Sequence, residues 1–130
     1  MSKELTKLKK DTWSWCSKYV RLKYADYNGY DTCYTCGVVK HYKEMQAGHG
    51  FGGRTNGILF ELKVIRPQCA GCNIFKHGNY DVFHTKLEKE YGYGFLQKML
   101  KQKNTTKQFT IQELTRKRNK FKKMAEELSK

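Results

Sequence analysis

The sequence predicts an α+β fold in which a small core, closed by two pairs of cysteines, is flanked by helices at both ends. Three observations support this prediction. Apolar residues recur every three or four positions near both ends, the middle of the chain is rich in glycine and short β-type runs, and two C-x2-C pairs enclose that middle part. With 130 residues and a mean hydropathy of −0.82, the chain has a modest core that a bound metal would usefully stabilise.

The N-terminal helix is predicted to run from Leu5 to about Tyr24, because apolar positions recur there at helical spacing. Cys16 lies within this helix and is predicted to be a small buried residue. Residues 38–68 contain five glycines and few helix-forming runs, so they are predicted to form a loop and a β-hairpin. Within this segment, residues 57–65 are predicted to be a strand.

Two helical segments are predicted after the second cysteine pair. Residues 71–77 could open a short helix, and residues 81–101 have an amphipathic pattern. Because glycine destabilises the interior of a helix, Gly92 and Gly94 are expected to break the second segment.

The C-terminal helix is predicted to begin at a capping box, Thr110-Ile111-Gln112-Glu113. One face of this helix is apolar and the others are strongly basic. The apolar stripe consists of Leu114, Phe121, Met124 and Leu128. It is either part of the core or the interface of a homodimer.

The predicted domain organisation is simple. Residues 1–101 would form the metal-bound domain with its N-terminal helix, and residues 102–130 would add a basic helix to the same domain. No repeat or Pro-rich linker interrupts the chain, and residues 102–108 are the one candidate hinge.

The charge balance favours a nucleic-acid partner. Lysine and arginine total 26 against 12 acidic residues, which gives a net charge of +14 and a pI near 9.6, together with 9 tyrosines and 7 phenylalanines. A basic surface kept for solubility, or one that meets acidic lipid, is the alternative. No apolar run is long enough to span a bilayer and no signal-peptide core is evident, so a soluble cytoplasmic protein without a membrane partner is expected.

The cysteine pairs predict a metal site. Cys33 and Cys36 form one pair, and Cys69 and Cys72 form the other after 32 intervening residues, 37–68. In a reducing compartment this spacing favours metal over disulfides. Four thiolates match the tetrahedral preference of Zn²⁺ and leave no open position for substrate, so the expected zinc is structural. Paired core cysteines without metal are the alternative.

A histidine flanked by glycines, Gly48-His49-Gly50, lies between the two cysteine pairs. A lone histidine is more often a surface or turn residue. However, Asn73 directly follows the last cysteine, and His77 comes four residues later, which predicts that both lie on one helical face. A histidine on a loop or strand end, with Asn and His on a helix closed by zinc, is the layout of a ββα-metal nuclease site.

These motifs, in this order, resemble the phage NinG (Rap) recombination family over about residues 12–95. The runs that carry the resemblance are Ser17-Lys18-Tyr19-Val20-Arg21-Leu22-Lys23, Asn28-Gly29-Tyr30, Cys33-Tyr34-Thr35-Cys36-Gly37, Ala47-Gly48-His49, Pro67-Gln68-Cys69-Ala70-Gly71-Cys72-Asn73, Lys76 and Gly78-Asn79. The resemblance implies a zinc-bound ββα-metal core of the HNH, or His-Me finger, type. It also implies a structure-specific endonuclease that cuts branched DNA, such as a Holliday junction, D-loop or flap, during phage recombination in the host cytoplasm.

The resemblance implies roles for particular residues. His49 would be the general base that takes a proton from the attacking water. Asn73 would bind a catalytic Mg²⁺ or Mn²⁺ ion, and His77 would help to hold it.

The sequence departs from the family pattern at two positions. Gly48 stands where an acidic or histidine ligand commonly precedes the base, and Val64 stands where an Asn is usual. Glu61 is the carboxylate expected to supply the missing ligand, with Glu44 and Asp81 as alternatives.

Basic side chains are expected to hold DNA phosphates. Near the predicted site these are Arg54, Lys63, Arg66 and Lys76, and on the last helix they are Arg116 and Arg118. For the last helix, a solvated basic face is an equal alternative. For the whole protein, the alternative to an endonuclease is a non-catalytic, zinc-stabilised nucleic-acid-binding protein, and a zinc module with a protein partner is a third hypothesis.

Overall fold

The computed structural model describes residues 2–53 and 55–130, so the prediction for Arg54 lies outside the described residues. Within these ranges, four α-helices surround two small antiparallel sheets of two strands each, which confirms the α+β prediction. None of the described helices is both long and apolar enough to cross a membrane.

Helix α1 spans Lys3–Tyr24, as predicted, and α4 spans Ile111–Leu128 and packs along it. The predicted capping box is confirmed, because the Thr110 hydroxyl accepts the backbone N–H of Glu113 at 3.1 Å. Each helix turns one apolar face to the other. The buried residues of the two faces are Thr12, Cys16 and Val20 on α1 and Leu114, Phe121 and Ala125 on α4. The apolar stripe of α4 therefore belongs to the core, apart from Leu128, which is 47% exposed.

The strands form two hairpins. Strand β1 (Tyr30–Thr32) pairs with β2 (Val39–His41), and β3 (Gln46–His49) pairs with β4 (Ile65–Gln68). In the second hairpin Gly48 lies opposite Arg66, and a connection of 15 residues, 50–64, joins the strands.

The predicted strand at residues 57–65 is wrong except at its last residue. Residues 56–60 form turns, and Leu62–Val64 form a 3-10 helix that ends where β4 begins. Tertiary packing accounts for the difference, because Ile58 and Leu59 are buried at 1% and 2% exposure inside the turns. Gly57 lies so close to the last turn of α3, which spans Phe95–Lys103, that an added Cβ would lie 2.4 Å from the carbonyl oxygen of Gln102.

Three helices lie between β4 and α4. A π-helix spans Gly71–Phe75 and contains Cys72, the last cysteine of the second pair. The short helix predicted at residues 71–77 therefore ends two residues earlier than expected. Helices α2 (Tyr80–Tyr91) and α3 (Phe95–Lys103) are separated at Gly92 and Gly94, as predicted; these glycines have φ of 95° and 89°. The main core lies among α1, β4, α2, α3 and α4. Its buried residues include Val20, Ile65, Phe83, Leu87, Met99 and Phe121.

Candidate functional site

The four cysteines of the two pairs converge at one point, although the pairs are far apart in sequence. Their Sγ atoms all lie within 4.8 Å of one another, and the Sγ atoms of Cys36 and Cys69 are 3.7 Å apart. At a Zn–S distance of about 2.3 Å, a tetrahedral site places neighbouring sulfurs about 3.8 Å apart. The cluster could therefore hold a zinc ion with all four positions filled by sulfur, which suits a structural role. We call it the cysteine cluster.

Hydrogen bonds favour the thiolate form of Cys33, which is the form that binds zinc. Burial alone raises the pKa of this thiol. The Thr35 hydroxyl, 3.5 Å from the sulfur, and nearby backbone N–H groups outweigh burial and lower the pKa to about 6. Nε2 of Gln68 donates to the Thr35 hydroxyl oxygen at 3.0 Å, so the hydroxyl hydrogen is left to point at the sulfur.

Gln68 also connects the cysteine cluster to strand β3. Its Nε2 donates to the carbonyl oxygen of Gly78 at 2.9 Å, and its side chain packs directly against the α-carbon of Gly48. A Cβ on residue 48 would lie 1.8 Å from Oε1 of Gln68. This contact explains the glycine before His49: the space that a ligand side chain would need at position 48 is occupied by Gln68.

Gly48→Ala is expected to destabilise the protein by about 1–3 kcal/mol, because the new methyl group must displace a packed carboxamide. In a Gln68→Ala background the methyl group has room, so the same change should cost less. Urea unfolding of the wild type, both single variants and the double variant measures this coupling. Additive losses of unfolding free energy would contradict the steric explanation.

His49 lies at the end of β3, is 7% exposed, and is oriented by backbone groups through both ring nitrogens. Nδ1 accepts the N–H of Phe51 at 3.2 Å, and Nε2 lies 3.0 Å from the carbonyl oxygen of Ile58. Because a carbonyl can only accept, Nε2 carries the proton and the basic lone pair is on Nδ1. The Ile58 carbonyl thus holds the imidazole in place, while Val64, where the family pattern has Asn, is 0% exposed in the core.

His49 and Asn73 line one cavity of about 580 Å³, bordered by α1, β3 and the start of α2. Nδ2 of Asn73 donates to Oε1 of Gln46 at 2.6 Å, which leaves the Asn73 amide oxygen as the atom that could contact a cation. The structure therefore brings together two predicted site residues that are 24 positions apart. We call this space the His49 cavity.

The other predicted cation ligands lie elsewhere. His77 comes after the π-helix, is exposed and has φ of 50°, so the expected helical face shared with Asn73 is wrong. Glu61 lines a different depression, together with Lys107 and Glu113. Among the described residues that line the His49 cavity, none is Asp or Glu.

Arg66 is buried, which corrects the prediction that it holds a phosphate. The side chain is 2% exposed, and its Nη2 donates to the carboxylate of Glu90 and to the Tyr91 hydroxyl, the latter at 2.7 Å. Its Nη1 donates to backbone carbonyls at 2.8–3.2 Å. This guanidinium stabilises the fold and has no surface to offer DNA.

The remaining predicted phosphate contacts differ in exposure. Lys63, Lys76 and Arg116 are exposed, so their charges can reach a phosphate. Arg118 is half-buried and pairs with Asp11 at 3.5 Å. Their contacts with DNA stay a prediction.

Arg21 is a cationic residue of the His49 cavity that the sequence did not single out. It projects from α1, where its Nε donates to the Ser17 hydroxyl at 3.2 Å and its Nη1 donates to the Tyr42 carbonyl at 3.0 Å. Burial lowers its pKa, but an arginine remains charged at neutral pH. The i, i+4 spacing from Ser17 was visible in the sequence; the packing of α1 across β3 was not.

Asp31, on β1, interacts with Arg21 without forming a close ion pair. It is 0% exposed, and burial raises its pKa to about 7 while the charge of Arg21 opposes this shift. Asp31 is therefore only partly ionised at neutral pH and neutralises Arg21 incompletely. Positive charge remains for an anion in the His49 cavity.

Comparison with known proteins gave one family. A family model described as bacteriophage lambda NinG protein matches residues 1–130. The matched span therefore covers both cysteine pairs and the His49 cavity. Neither the curated proteins nor the solved structures gave a match.

Proposed function

Because the chain belongs to the bacteriophage lambda NinG family, which is linked to phage recombination, we propose that it is a metal-dependent DNA endonuclease that cuts branched DNA. The observation that carries the proposal is the meeting of His49 and Asn73 in one cavity with Arg21. These three side chains offer a base, a cation ligand and a positive charge, which are the groups that phosphodiester hydrolysis requires.

The order of elements supports the HNH, or His-Me finger, type. Strand β3 ends in His49, β4 pairs with it, and the helix that carries Asn73 follows directly. The cysteine cluster lies at the junction of β4 and that helix. This is the strand, strand, helix order of a ββα-metal core, in which a structural zinc would hold the helix against the hairpin.

In the proposed reaction, Nδ1 of His49 accepts a proton from water as the water oxygen bonds to phosphorus. The bond from phosphorus to the leaving sugar oxygen then breaks, and that oxygen takes a proton from solvent. The Ile58 carbonyl, which accepts from Nε2, holds the ring and stabilises the imidazolium that forms. The attacking water must displace the Phe51 N–H from Nδ1, and this contact is a long one at 3.2 Å.

A divalent cation such as Mg²⁺ or Mn²⁺ would be held by the amide oxygen of Asn73, by waters and by phosphate oxygens of the DNA. It would stabilise the negative charge that develops on the phosphate. Since no carboxylate is present among the described lining residues, the protein alone offers a weak site. The cation would therefore enter mainly together with the DNA.

The test is cleavage of an end-labelled four-way junction or flap with Mg²⁺ or Mn²⁺. His49→Ala is expected to lower the single-turnover rate about 10²- to 10⁴-fold, because the proton acceptor is lost. His77→Ala is the matched control: this exposed histidine does not line the cavity, so its rate should stay near that of the wild type. Zinc content and circular dichroism establish that both variants are folded. A His49→Ala variant that cuts as fast as the parent would eliminate His49 as the base.

The second candidate is a non-catalytic, zinc-stabilised nucleic-acid-binding protein, which the lack of a carboxylate among the described cavity residues favours. It predicts salt-sensitive binding to DNA or RNA with no cleaved product under any divalent cation. If the endonuclease proposal holds, its place of action is the host cytoplasm. Paired cuts in a junction would then favour a homodimer, because two strands must be cut at related positions.

A further inference from the structure

Two apolar side chains project into solvent beside the His49 cavity. Ile74 is 52% exposed and Phe75 is 77% exposed, and they directly follow Asn73, which lines the cavity. Single exposed apolar residues are common on protein surfaces. Two consecutive ones, at the tip of a five-residue helix that also carries a site residue, form a distinct feature.

The backbone that carries this pair is fixed to the cysteine cluster at both ends. The N–H of Asn73 donates to the carbonyl of Cys69 at 2.9 Å, and the N–H of Gly78 donates to the carbonyl of Cys72 at 2.9 Å. Asn79 adds a contact from its Nδ2 to the Cys72 sulfur at 3.6 Å. The exposed pair therefore stands on a rigid base, unlike a side chain on a mobile loop.

The turn behind the pair adopts unusual backbone conformations. The three consecutive residues His77, Gly78 and Asn79 have φ of 50°, 96° and 49°. Side chains at positive φ are strained, and π-helices occur frequently at functional sites. The sharp turn sends the chain back toward α2 and leaves Ile74 and Phe75 at the outer tip.

We propose that Ile74 and Phe75 form an apolar wedge that inserts between bases at the branch point of a DNA substrate. This inference deepens the proposed function, since it rests on DNA as the substrate and assigns the recognition of branches to these residues. Apolar wedges enter base steps in several DNA-binding proteins, and phenylalanine stacks on any exposed base. Inserting the wedge into an intact duplex requires a complete base step to be unstacked, whereas stacking is already weakened at a branch point, so insertion there costs less.

Charge favours DNA over a second copy of the chain as the occupant. Lys76 directly follows the wedge and is exposed, and each copy carries a net charge of +14, so two copies repel each other. The same charge attracts the phosphates on either side of an inserted side chain. Because Asn73 precedes the wedge directly, a base step held there lies next to the phosphate that enters the His49 cavity.

The test uses a four-way junction with 2-aminopurine at the branch point and the zinc-loaded full chain, with no Mg²⁺ and no chelator. The wild type should raise the 2-aminopurine fluorescence, since an unstacked base is less quenched. The Ile74→Ala/Phe75→Ala variant should lose most of this rise and bind the junction roughly 5- to 100-fold more weakly, with duplex affinity nearly unchanged. Phe75→Trp should keep the fluorescence rise, because tryptophan also stacks.

Tyr93→Ala is the matched control. Tyr93 is 96% exposed on the turn between α2 and α3, so its removal deletes an exposed aromatic ring outside the wedge and should leave both signals unchanged. All these side chains are exposed, and zinc content and melting temperature should stay near those of the wild type.

Two results would overturn the wedge. The first is an unchanged fluorescence rise, or an equal loss of affinity for junction and duplex, in the Ile74→Ala/Phe75→Ala variant. The second is a wild-type dimer that the double variant converts to a monomer, which would make the pair a self-association surface. Since no cleavage is measured, a protein that shows the wedge signals but never cuts DNA would refute the endonuclease proposal alone.

Discussion

Cys69→Ser is expected to abolish zinc binding and to leave the chain unfolded at room temperature. Cys69 directly follows β4, and its sulfur is one of four that could hold the metal. Structural zinc sites contribute roughly 10 kcal/mol or more at neutral pH, whereas a whole domain is stable by about 5–15 kcal/mol. Loss of one thiolate should therefore remove most of the stability. Zinc content by mass spectrometry and helical signal by circular dichroism measure the two effects.

Cys16→Ser is the control for this substitution. It makes the same chemical change in the core between α1 and its neighbours, far in sequence from the cysteine cluster. Burying a hydroxyl there should cost about 1–3 kcal/mol and leave the zinc content of the wild type. A Cys69→Ser protein that melts cooperatively within a few degrees of the Cys16→Ser protein would show that the fold does not depend on the metal.

Local signals explain which elements the sequence predicted well. Helix α4 has a capping box at Thr110 and a periodic apolar face, and both act within a few residues of each other. The break between α2 and α3 follows from the conformational freedom of Gly92 and Gly94. The cysteine cluster was predictable because the spacing within each pair is itself the chemical signal.

Tertiary contacts explain what the sequence could not predict. Residues 57–65 have the composition of a strand, but Leu59 packs against Phe109 and Leu114 from the C-terminal part of the chain. The group that orients His49 is the backbone carbonyl of Ile58. Because every residue has a backbone carbonyl, the sequence does not indicate which one contacts His49. The His49 cavity was only partly predicted for the same reason: Asn73 was found from its position after Cys72, whereas Arg21 belongs to a helix that meets β3 only in the folded chain.

Arg66 is the clearest example of a residue whose role is decided by tertiary contacts. Arginine serves both as a surface contact for phosphate and as a buried cation, and the sequence alone does not distinguish the two. Its partners Glu90 and Tyr91 lie on α2, 24 and 25 residues away, and its guanidinium carbon lies 5.1 Å from the ring centroid of Tyr24 and 5.2 Å from that of Tyr34. Arginine can satisfy several acceptors at once with its planar set of donors. The charge count of +14 therefore overstates the positive surface open to DNA, at least by this residue.

Arg66→Ala is expected to destabilise the protein by about 2–4 kcal/mol, since it leaves buried backbone carbonyls without a charged donor. The Glu90 side chain is 42% exposed, so water replaces part of the lost ion pair. The carbonyls of Leu62 and Lys63 would lose a charged donor, and Glu90 would lose its cation. Arg66→Lys should recover only part of the loss, because an ammonium cannot reproduce the paired donors. The midpoint and slope of urea unfolding measure each variant.

Arg116→Ala provides the comparison that separates folding from DNA binding. Arg116 is exposed on α4, so its removal should change the unfolding free energy by no more than about 0.5 kcal/mol. If it contacts a phosphate, its loss should weaken DNA binding at low salt and reduce the salt dependence. If Arg66→Ala instead has the same free energy of unfolding as Arg116→Ala and selectively weakens DNA binding, Arg66 contacts a phosphate. The burial of the Arg66 guanidinium behind Glu90 and Tyr91 makes a loss of stability without a selective loss of DNA binding the expected result for Arg66→Ala.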